Sequence, residues 1–572
     1  MTETMRLVFC GDRSLLVYLG DAIDPAVNQR VHALTHALRE KSHPAIAEVT
    51  SSYHCLLVEY DPVRIRPDQV EDLVRIAAQT AAGEETATRV VEIPVQYGGD
   101  NGPDLANVAA HTGLTAEAVI ERHAEALYRV YCLGFSPGFP YLGGLDPALA
   151  TPRLAQPRTK VPGGSVAIGG SQTGVYPAPS PGGWQLIGRT PLPLFDPERR
   201  PPALLEPGDS VRFVPIDAAR YAELTEAGRH NTRPDAEQAG GSTGMRILQP
   251  GMATLLQDLG RRGYMQYGVS VAGAADFSAL MVGNWLLGNR ARTCALEITL
   301  MGPEVEFTGP VTFCITGAPI PAELVPADGG TPSPVPGWTT VIASPGDRLR
   351  LGTTTAGCRS YLCVAGGVDL PPVLGSLSED LFGKIGPLGR PLKAGDWLPV
   401  GLPLHPPANL AGRSLPAEFI PAYGGPVTIR ATRGPQAEAF PAEAIDAFFS
   451  GEYTVGAQSD RQGLRLEGAK LAHAGTADIL SEPIPAGSVQ VPANGQPILL
   501  LGNRQTVGGY TKIAVAVFPD LWAAGQLRPG DKVRFREVDA AEAHAVAWAE
   551  RRRLAQIRRF LEREVSNTPE AG

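Results

Sequence analysis

Two stretches concentrate the side chains from which a binding site can be built. Residues 158–191 (RTKVPGGSVAIGGSQTGVYPAPSPGGWQLIGRTP) and 485–512 (PAGSVQVPANGQPILLLGNRQTVGGYTK) each hold a short β-like core, at 165–168 and 488–491. Each then places a Gln-Thr pair close to Gly and Tyr: Gln172, Thr173 and Tyr176 in the first, Gln505, Thr506 and Tyr510 in the second. Glycine permits close backbone approach, proline fixes turns, and Gln, Thr and Tyr supply neutral donors and acceptors. That composition suits a site that grips a polar ligand through backbone and amide groups. It equally suits the Gly/Pro-punctuated corners of a β-barrel.

Charged residues cluster on neighbouring Gly-rich segments. Gln458, Asp460 and Arg461 precede an apolar alternation, Glu482 stands just before the second stretch, and Arg504 and Lys512 flank Gln505–Tyr510. Gln257, Asp258 and Arg261 follow an apolar turn. Arg and Lys can hold phosphate or carboxylate, and Asp and Glu can accept a proton or hold magnesium. Each is as well suited to an ion pair or a turn cap. Asp276, ahead of a helix expected at 277–287, reads as an N-cap.

Residues 134–142 (GFSPGFPYL) contain G-x-S-x-G, but Pro137 and Pro140 forbid the helix that a nucleophile elbow requires. Ser136 is therefore expected in a loop lining a cavity. His32 and His36 lie four apart on an expected helix, yet Ala33 stands where HExxH needs a glutamate, so a solvated polar face is expected. There is no P-loop, no metal-spaced Cys/His cluster and no Met-Lys dipeptide of a biotin carrier, and no metal site is expected.

The elements that must position these groups follow from pattern. Gly 65 and Pro 53 among 572 residues fall between apolar alternations, which argues for many strands and turns. A net charge of −9 gives no basic field for nucleic acid or anionic membrane. Seven scattered cysteines without CxxC read as buried thiols of a reducing cytoplasm, and the first residues show no signal peptide. Residues 1–85 read as a small α+β domain with strands at 14–19 and 55–60 and helices at 25–39 and 67–81. A β unit follows at 90–217, a polar linker at 225–244, further β units at 245–408 and 415–537, and a basic amphipathic helix within 538–572. Pro-Gly-Asp recurs before a strand at 207, 345 and 529, suggesting three related β units.

The longer motifs carry a resemblance. Residues 5–216, through Gly134–Gly144, Val161–Tyr176 and Ser180–Trp184, resemble the second subunit of bacterial ATP-dependent 5-oxoprolinase, also described as allophanate-hydrolase-subunit-1-like or sporulation kinase-inhibitor-like. Residues 245–536, through Gly251–Gly263, Gln458–Leu466, Gln490–Pro497 and Arg504–Lys512, resemble the third subunit, the biotin-dependent carboxyltransferase-like family. The resemblance implies a fusion of two modules, as in the carboxyltransferase region of urea carboxylase, and a mainly β chain with cyclophilin-like β-barrel domains behind an α+β N-terminal domain. It implies hydrolysis of 5-oxoproline to glutamate with ATP and Mg2+, alongside a separate lactam-utilisation-type subunit. The alternatives within the resemblance are a biotin-dependent carboxyltransferase acting on urea or a related amide, with its carrier on another chain, and a histidine-kinase inhibitor. Self-association is left open.

Both stretches are expected to converge on one site. Asp460, Arg461, Glu482, Arg504 and Lys512 are its expected catalytic groups. Phe135, Gly138, Arg158, Ser165, Gln172, Thr173, Tyr176, Gln257, Asp258, Arg261, Gln458, Gln490, Gln505, Thr506 and Tyr510 are its expected binding groups. One departure stands out: Leu377 occupies a position where the family leads one to expect a basic residue.

Overall fold

Strands built from unbroken apolar runs are strands buried on both faces, and the N-terminal sheet shows it. In the computed structural model, which describes residues 5–81, 89–229 and 243–566, Arg6–Cys10, Ser14–Tyr18, Cys55–Tyr60 and Ile46–Ser51 lie side by side in that order, all antiparallel. Leu15, Val17, Leu56 and Val58 pack under helices Pro25–Glu40 and Pro67–Thr80. The alternate residues, Leu16, Tyr18, Cys55 and Leu57, face the other way and pack against Met265 and Val515 of the C-terminal half. His32 does not lie on a solvated face: its Nε2 is 2.8 Å from the Tyr131 carbonyl oxygen, and burial pushes its pKa down to about 4. His36 does face solvent, beside Glu40.

The chain is mostly β, with two closed seven-stranded barrels. In the first, Val90–Tyr97 pairs in parallel with Ser210–Pro215; in the second, Val427–Arg433 pairs in parallel with Lys532–Glu537. Matching the barrels strand by strand around the ring makes Ser165–Gly169 equivalent to Ser488–Gln490, as the sequence repeat suggests. The same match pairs Gln172–Val175 with Ile498–Leu500, while Val507–Tyr510 lies outside the ring in a two-stranded ribbon with Asp478–Pro483, as Ser180–Gly182 does with Arg158–Val161. The two Gln-Thr pairs therefore occupy different places in their barrels. Their similarity is of composition, not of position.

The Pro-Gly-Asp turns show a shared local device. Gly208, Gly346 and Gly530 have φ of 98°, 85° and 92°. In each case the following Asp carboxylate accepts from the backbone N–H three residues earlier: Asp209 from Glu206 at 2.8 Å, Asp347 from Ser344 at 2.7 Å, Asp531 from Arg528 at 2.8 Å. The first and third turns lead into equivalent barrel strands. The second leads into Arg348–Leu351 of a six-stranded sheet that packs on a five-stranded sheet. The unit between the barrels is thus a two-sheet layer, and the turn is reused without the barrel.

Asp276 caps helix Phe277–Leu286, accepting from Ala279 N–H at 2.9 Å. Helix Ala540–Ser566 packs Leu554, Ile557 and Leu561 against that helix. Of the expected linker, residues 225–229 complete helix Ala218–Arg229 and 230–242 lie outside the described residues. All seven cysteines are buried and free. Among the described residues no helix is long and apolar enough to cross a membrane.

A loop of the middle unit, residues 375–389, is fastened by buried polar groups. Asp258 accepts from the Ser376 and Ser378 hydroxyls, both at 2.6 Å, and from Leu377 N–H at 2.9 Å. Gln257 donates to the Glu379 carbonyl at 3.0 Å, and Arg261 to that of Ser378. Leu377 packs on the apolar core of this unit, where a cation would be stranded. The fully buried Glu379 carboxylate accepts from Leu388 and Gly389 N–H at 2.9 and 2.8 Å.

The units meet around buried ion pairs. Glu59 of the N-terminal sheet pairs with Arg504 at 3.1 Å. Glu482 pairs with Lys512 at 2.8 Å while accepting from the Tyr18 hydroxyl at 3.0 Å and the Gln436 amide at 2.9 Å. Glu297 of the middle unit pairs with Arg461 and accepts from the Tyr361 hydroxyl and Ala275 N–H, both at 2.8 Å.

Two of these burials can be measured through stability. Lys512→Met strands the Glu482 charge and lowers unfolding free energy by about 3–5 kcal/mol in urea titration, whereas the pair Lys512→Met/Glu482→Leu recovers most of the loss. Burial raises the Glu379 pKa from 4.5 to about 7. Between those values the unfolded chain has lost this proton and the folded chain keeps it, so its contribution is complete below pH 4.5 and is lost as pH rises through 7. Glu379→Gln flattens that decline, by up to about 1.4 kcal/mol per pH unit, in urea midpoints taken from about pH 4 to 8.

Candidate functional site

Alternation along a strand decides which member of a Gln-Thr pair meets solvent. On Gln172–Val175, Thr173 points into the barrel and is fully buried, its hydroxyl 2.9 Å from Nε2 of His123. Gln172 therefore points outward. Its amide donates to the Tyr53 hydroxyl at 2.6 Å, so the N-terminal domain sets its orientation. It stands in a cleft of about 620 Å3 between the two barrels, which also contains Phe135, Tyr176, Gln505 and Tyr510. Five of the expected binding residues, drawn from both Gly/Pro stretches and from the 134–138 loop, thus share one cavity.

One wall is aromatic. Phe135 sits at φ 65°, a left-handed backbone rare outside glycine, and its ring meets Phe139 edge-on at 5.6 Å and Phe382 of the 375–389 loop at 6.4 Å. Tyr176 and Trp184 meet edge-on at 6.3 Å. The glycines here serve this packing: a Cβ on Gly169 would stand 2.6 Å from the Trp184 ring, and one on Gly182 would stand 2.5 Å from the Tyr176 hydroxyl oxygen. The Arg153 guanidinium lies 5.9 Å from the Trp184 ring centroid. The opposite wall is the two-stranded ribbon Asp478–Pro483 and Val507–Tyr510, which contributes Asp478, Ser481 and the Gly508–Gly509 backbone.

A second, smaller cavity of about 100 Å3 contains Asp460, Arg461 and Arg504 together with Arg13, Glu59, Arg262 and Arg359. Asp460 accepts from Gln462 and Gly463 N–H, at 2.7 and 3.2 Å, and so holds its own turn. Arg461 is committed to Glu297, the Gly273 carbonyl and Asn503, and Arg504 to Glu59 and the Ile484 carbonyl. Glu482 and Lys512 line neither cavity and lie buried in the junction. His54, Cys55 and Glu482 offer ligand atoms within 4.8 Å of one another, but the Lys512 ammonium already neutralises that carboxylate.

The remaining expected residues stand elsewhere. Arg158 pairs with Asp104 at 2.7 Å. Ser165, Gln490 and Thr506 are buried in or beside the barrel walls. Gly138 donates to the Tyr267 carbonyl at 2.8 Å and packs under Phe195. Gln458 is exposed on a turn. Gln257, Asp258 and Arg261 brace the loop that brings Phe382 to Phe135. Ser136 is a buried turn residue followed by no helix. Tyr53, Arg153, Trp184 and Asp478 were not singled out by sequence reasoning. Trp184 lay inside a quoted motif, while the others carry no local signal.

Comparison with known proteins identifies the family. The family model "Carboxyltransferase domain, subdomain C and D" matches residues 5–205, and "Carboxyltransferase domain, subdomain A and B" matches 267–537. The chain is 42% identical over 237 residues to a 5-oxoprolinase subunit of Bacillus subtilis (strain 168), covering 40% of this chain and 99% of that relative. It is 38% identical over 314 residues to a different 5-oxoprolinase subunit, from Escherichia coli (strain K12), covering 55% of this chain and 97% of that relative. The crystal structure of TTHA0988 superposes with a TM-score of 0.78 at 35% identity, covering 91% of this chain and 99% of that one. The chain belongs to the carboxyltransferase-domain family that includes these two 5-oxoprolinase subunits, and it carries the C/D and A/B domains in one polypeptide.

Proposed function

We propose that this chain is the lactam-activating component of an ATP-dependent 5-oxoprolinase, uniting what the Bacillus subtilis and Escherichia coli relatives carry as separate subunits, and that it acts with a separate lactam-utilisation-type subunit. The observation that carries the reading is the barrel cleft, whose two walls come one from each of the two family domains. A five-membered lactam is a stable amide. Phosphorylation of its oxygen makes the carbonyl carbon electrophilic, and water then opens the ring to glutamate with release of ADP and phosphate.

The residues present suit a nucleotide. Phe135, Tyr176 and Trp184 offer faces for a base, Arg153 a guanidinium for phosphate, Gln172 and Gln505 amides for polar edges, and Asp478 at the exposed rim a carboxylate for Mg2+. The chain's own part is to hold both reactants between two rigid barrels and to exclude water from the activated lactam until the partner acts.

A second reading, carboxyl transfer from a biotin carrier on another chain, is favoured by the family models themselves. The two are separated by one experiment. The full chain, the lactam-utilisation-type partner, 5-oxoproline and Mg-ATP are mixed and glutamate is measured, with discharge of a carboxylated biotin carrier assayed in parallel. Glutamate forms only when all components are present. Gln172→Ala and Gln505→Ala each lower its rate by about a hundredfold; the thermal midpoint is unchanged in Gln505→Ala and falls in Gln172→Ala, which leaves the buried Tyr53 hydroxyl without its partner. Wild-type rates in both variants, or no glutamate with a competent partner, overturn the proposal.

A further inference from the structure

The small cavity beside Glu59 shares no lining residue with the barrel cleft. It opens into a wider mouth of about 390 Å3, and Arg13, Glu59, Arg262 and Phe518 line both. Five guanidinium groups border the inner space, Arg13, Arg262, Arg359, Arg461 and Arg504, against two lining carboxylates, Glu59 and Asp460. Four of the five have a carboxylate partner. Arg461 and Arg359 share Glu297, Arg504 holds Glu59, and Arg13 pairs with Asp12.

Arg13 and Arg262 are the least firmly held of the five. The Arg13 guanidinium carbon lies 3.3 Å above the Phe518 ring centroid and its Nε is buried without a hydrogen-bond partner, although Asp12 is near at 3.6 Å. Arg262 reaches the cavity with no hydrogen bond or ion pair to any described residue. Burial pushes the pKa values of both Arg13 and Arg504 down, and the Arg262 charge adds to the depression of each. An anion in this space relieves that repulsion. Glu48, whose carboxylate accepts from Gly263 N–H at 2.6 Å and whose ionised form the Arg262 charge favours, supplies one only as pH rises through about 7, to which burial lifts its pKa.

We propose that this cavity is a binding site for a compact organic carboxylate, held at its charged end by Arg262 and Arg13. The remaining lining decides the ligand class. Leu259, Val271, Ala274 and Phe277 give an apolar seat beside the cations, which suits a carbon skeleton bearing one carboxylate better than a fully hydrated inorganic anion. The site stands at the meeting of the N-terminal sheet, the middle unit and the second barrel, apart from the cleft assigned above to lactam activation. It does not depend on that assignment.

Isothermal titration of the full chain at low ionic strength tests it, with cyclopentanecarboxylate, its neutral carboxamide and inorganic phosphate as probes. The carboxylate is expected to bind saturably, about tenfold or more tighter than the carboxamide and than phosphate. Arg262→Gln, at an exposed position, weakens it by about tenfold, and Gln172→Ala in the barrel cleft leaves it unchanged. Equal binding of acid and amide, tighter binding of phosphate, wild-type affinity in Arg262→Gln, or absence of saturable carboxylate binding each overturns the proposal. So does loss of binding in Gln172→Ala alone, because the barrel cleft would then be the binder.

Discussion

Three buried carboxylates, Glu59, Glu297 and Glu482, are each neutralised by a cation from the second barrel. All three are at most 4% exposed. Bringing such groups out of water is unfavourable by several kcal/mol per ion unless the partner arrives with good geometry. The N-terminal sheet and the middle unit therefore dock on that barrel in the register that matches Glu59 with Arg504 and Glu297 with Arg461, while Glu482 and Lys512, both of the second-barrel unit, meet the sheet through the Tyr18 hydroxyl. A slip of a few ångströms would leave charges buried without partners. Apolar contact supplies the adhesion here, and charge matching supplies the position.

That constraint reaches the barrel cleft directly. The ribbon Asp478–Pro483 and Val507–Tyr510 carries the anchor, Glu482, and the cleft wall, Asp478 with Gly508–Tyr510, on the same short strands. The opposite wall is tied to the N-terminal domain by Gln172 and Tyr53. The small α+β domain thus stands behind both walls, touching one through Tyr18 and Glu59 and the other through Tyr53. The middle unit adds the third restraint when its loop brings Phe382 to Phe135.

Local structure was legible because its causes are local. The apolar runs at 14–19 and 55–60 announced strands, Asp276 announced a helix start, and Pro-Gly-Asp announced a repeated turn into a strand. The family resemblance supplied the barrels. The chemistry of single charges was not legible, because their partners are distant in sequence. Glu482 and Lys512 look like reactive groups on a Gly-rich strand, yet Tyr18, a partner of Glu482, lies 464 residues away. Arg504 meets Glu59 across 445 residues. Glycine was read as room for a ligand, but at Gly169 and Gly182 the room is taken by Trp184 and Tyr176. A pattern of residue types cannot distinguish a backbone bared for substrate from one bared for an indole.

Duplication of the barrel explains why a cleft forms between the two copies and why its walls are unlike. The ribbons Arg158–Val161/Ser180–Gly182 and Asp478–Pro483/Val507–Tyr510 hold equivalent places in their barrels, and both border the cavity. Equivalent backbones facing one another would enclose a symmetric space. Substitution has broken that symmetry: the first barrel surrounds its ribbon with Phe135, Tyr176 and Trp184, while the second presents Gln505, bare Gly508–Gly509 backbone and an exposed carboxylate at Asp478. A π-rich wall that also carries Gln172 and Arg153, opposed to one of bare backbone with Gln505, Tyr510 and Asp478, suits the proposed ligand, with one flat face and one hydrogen-bonding edge. In the proposed function the grip is thus asymmetric, with one half from each barrel. Both halves must lie on rigidly joined barrels for the grip to discriminate, and the buried ion pairs of the junction supply that rigidity.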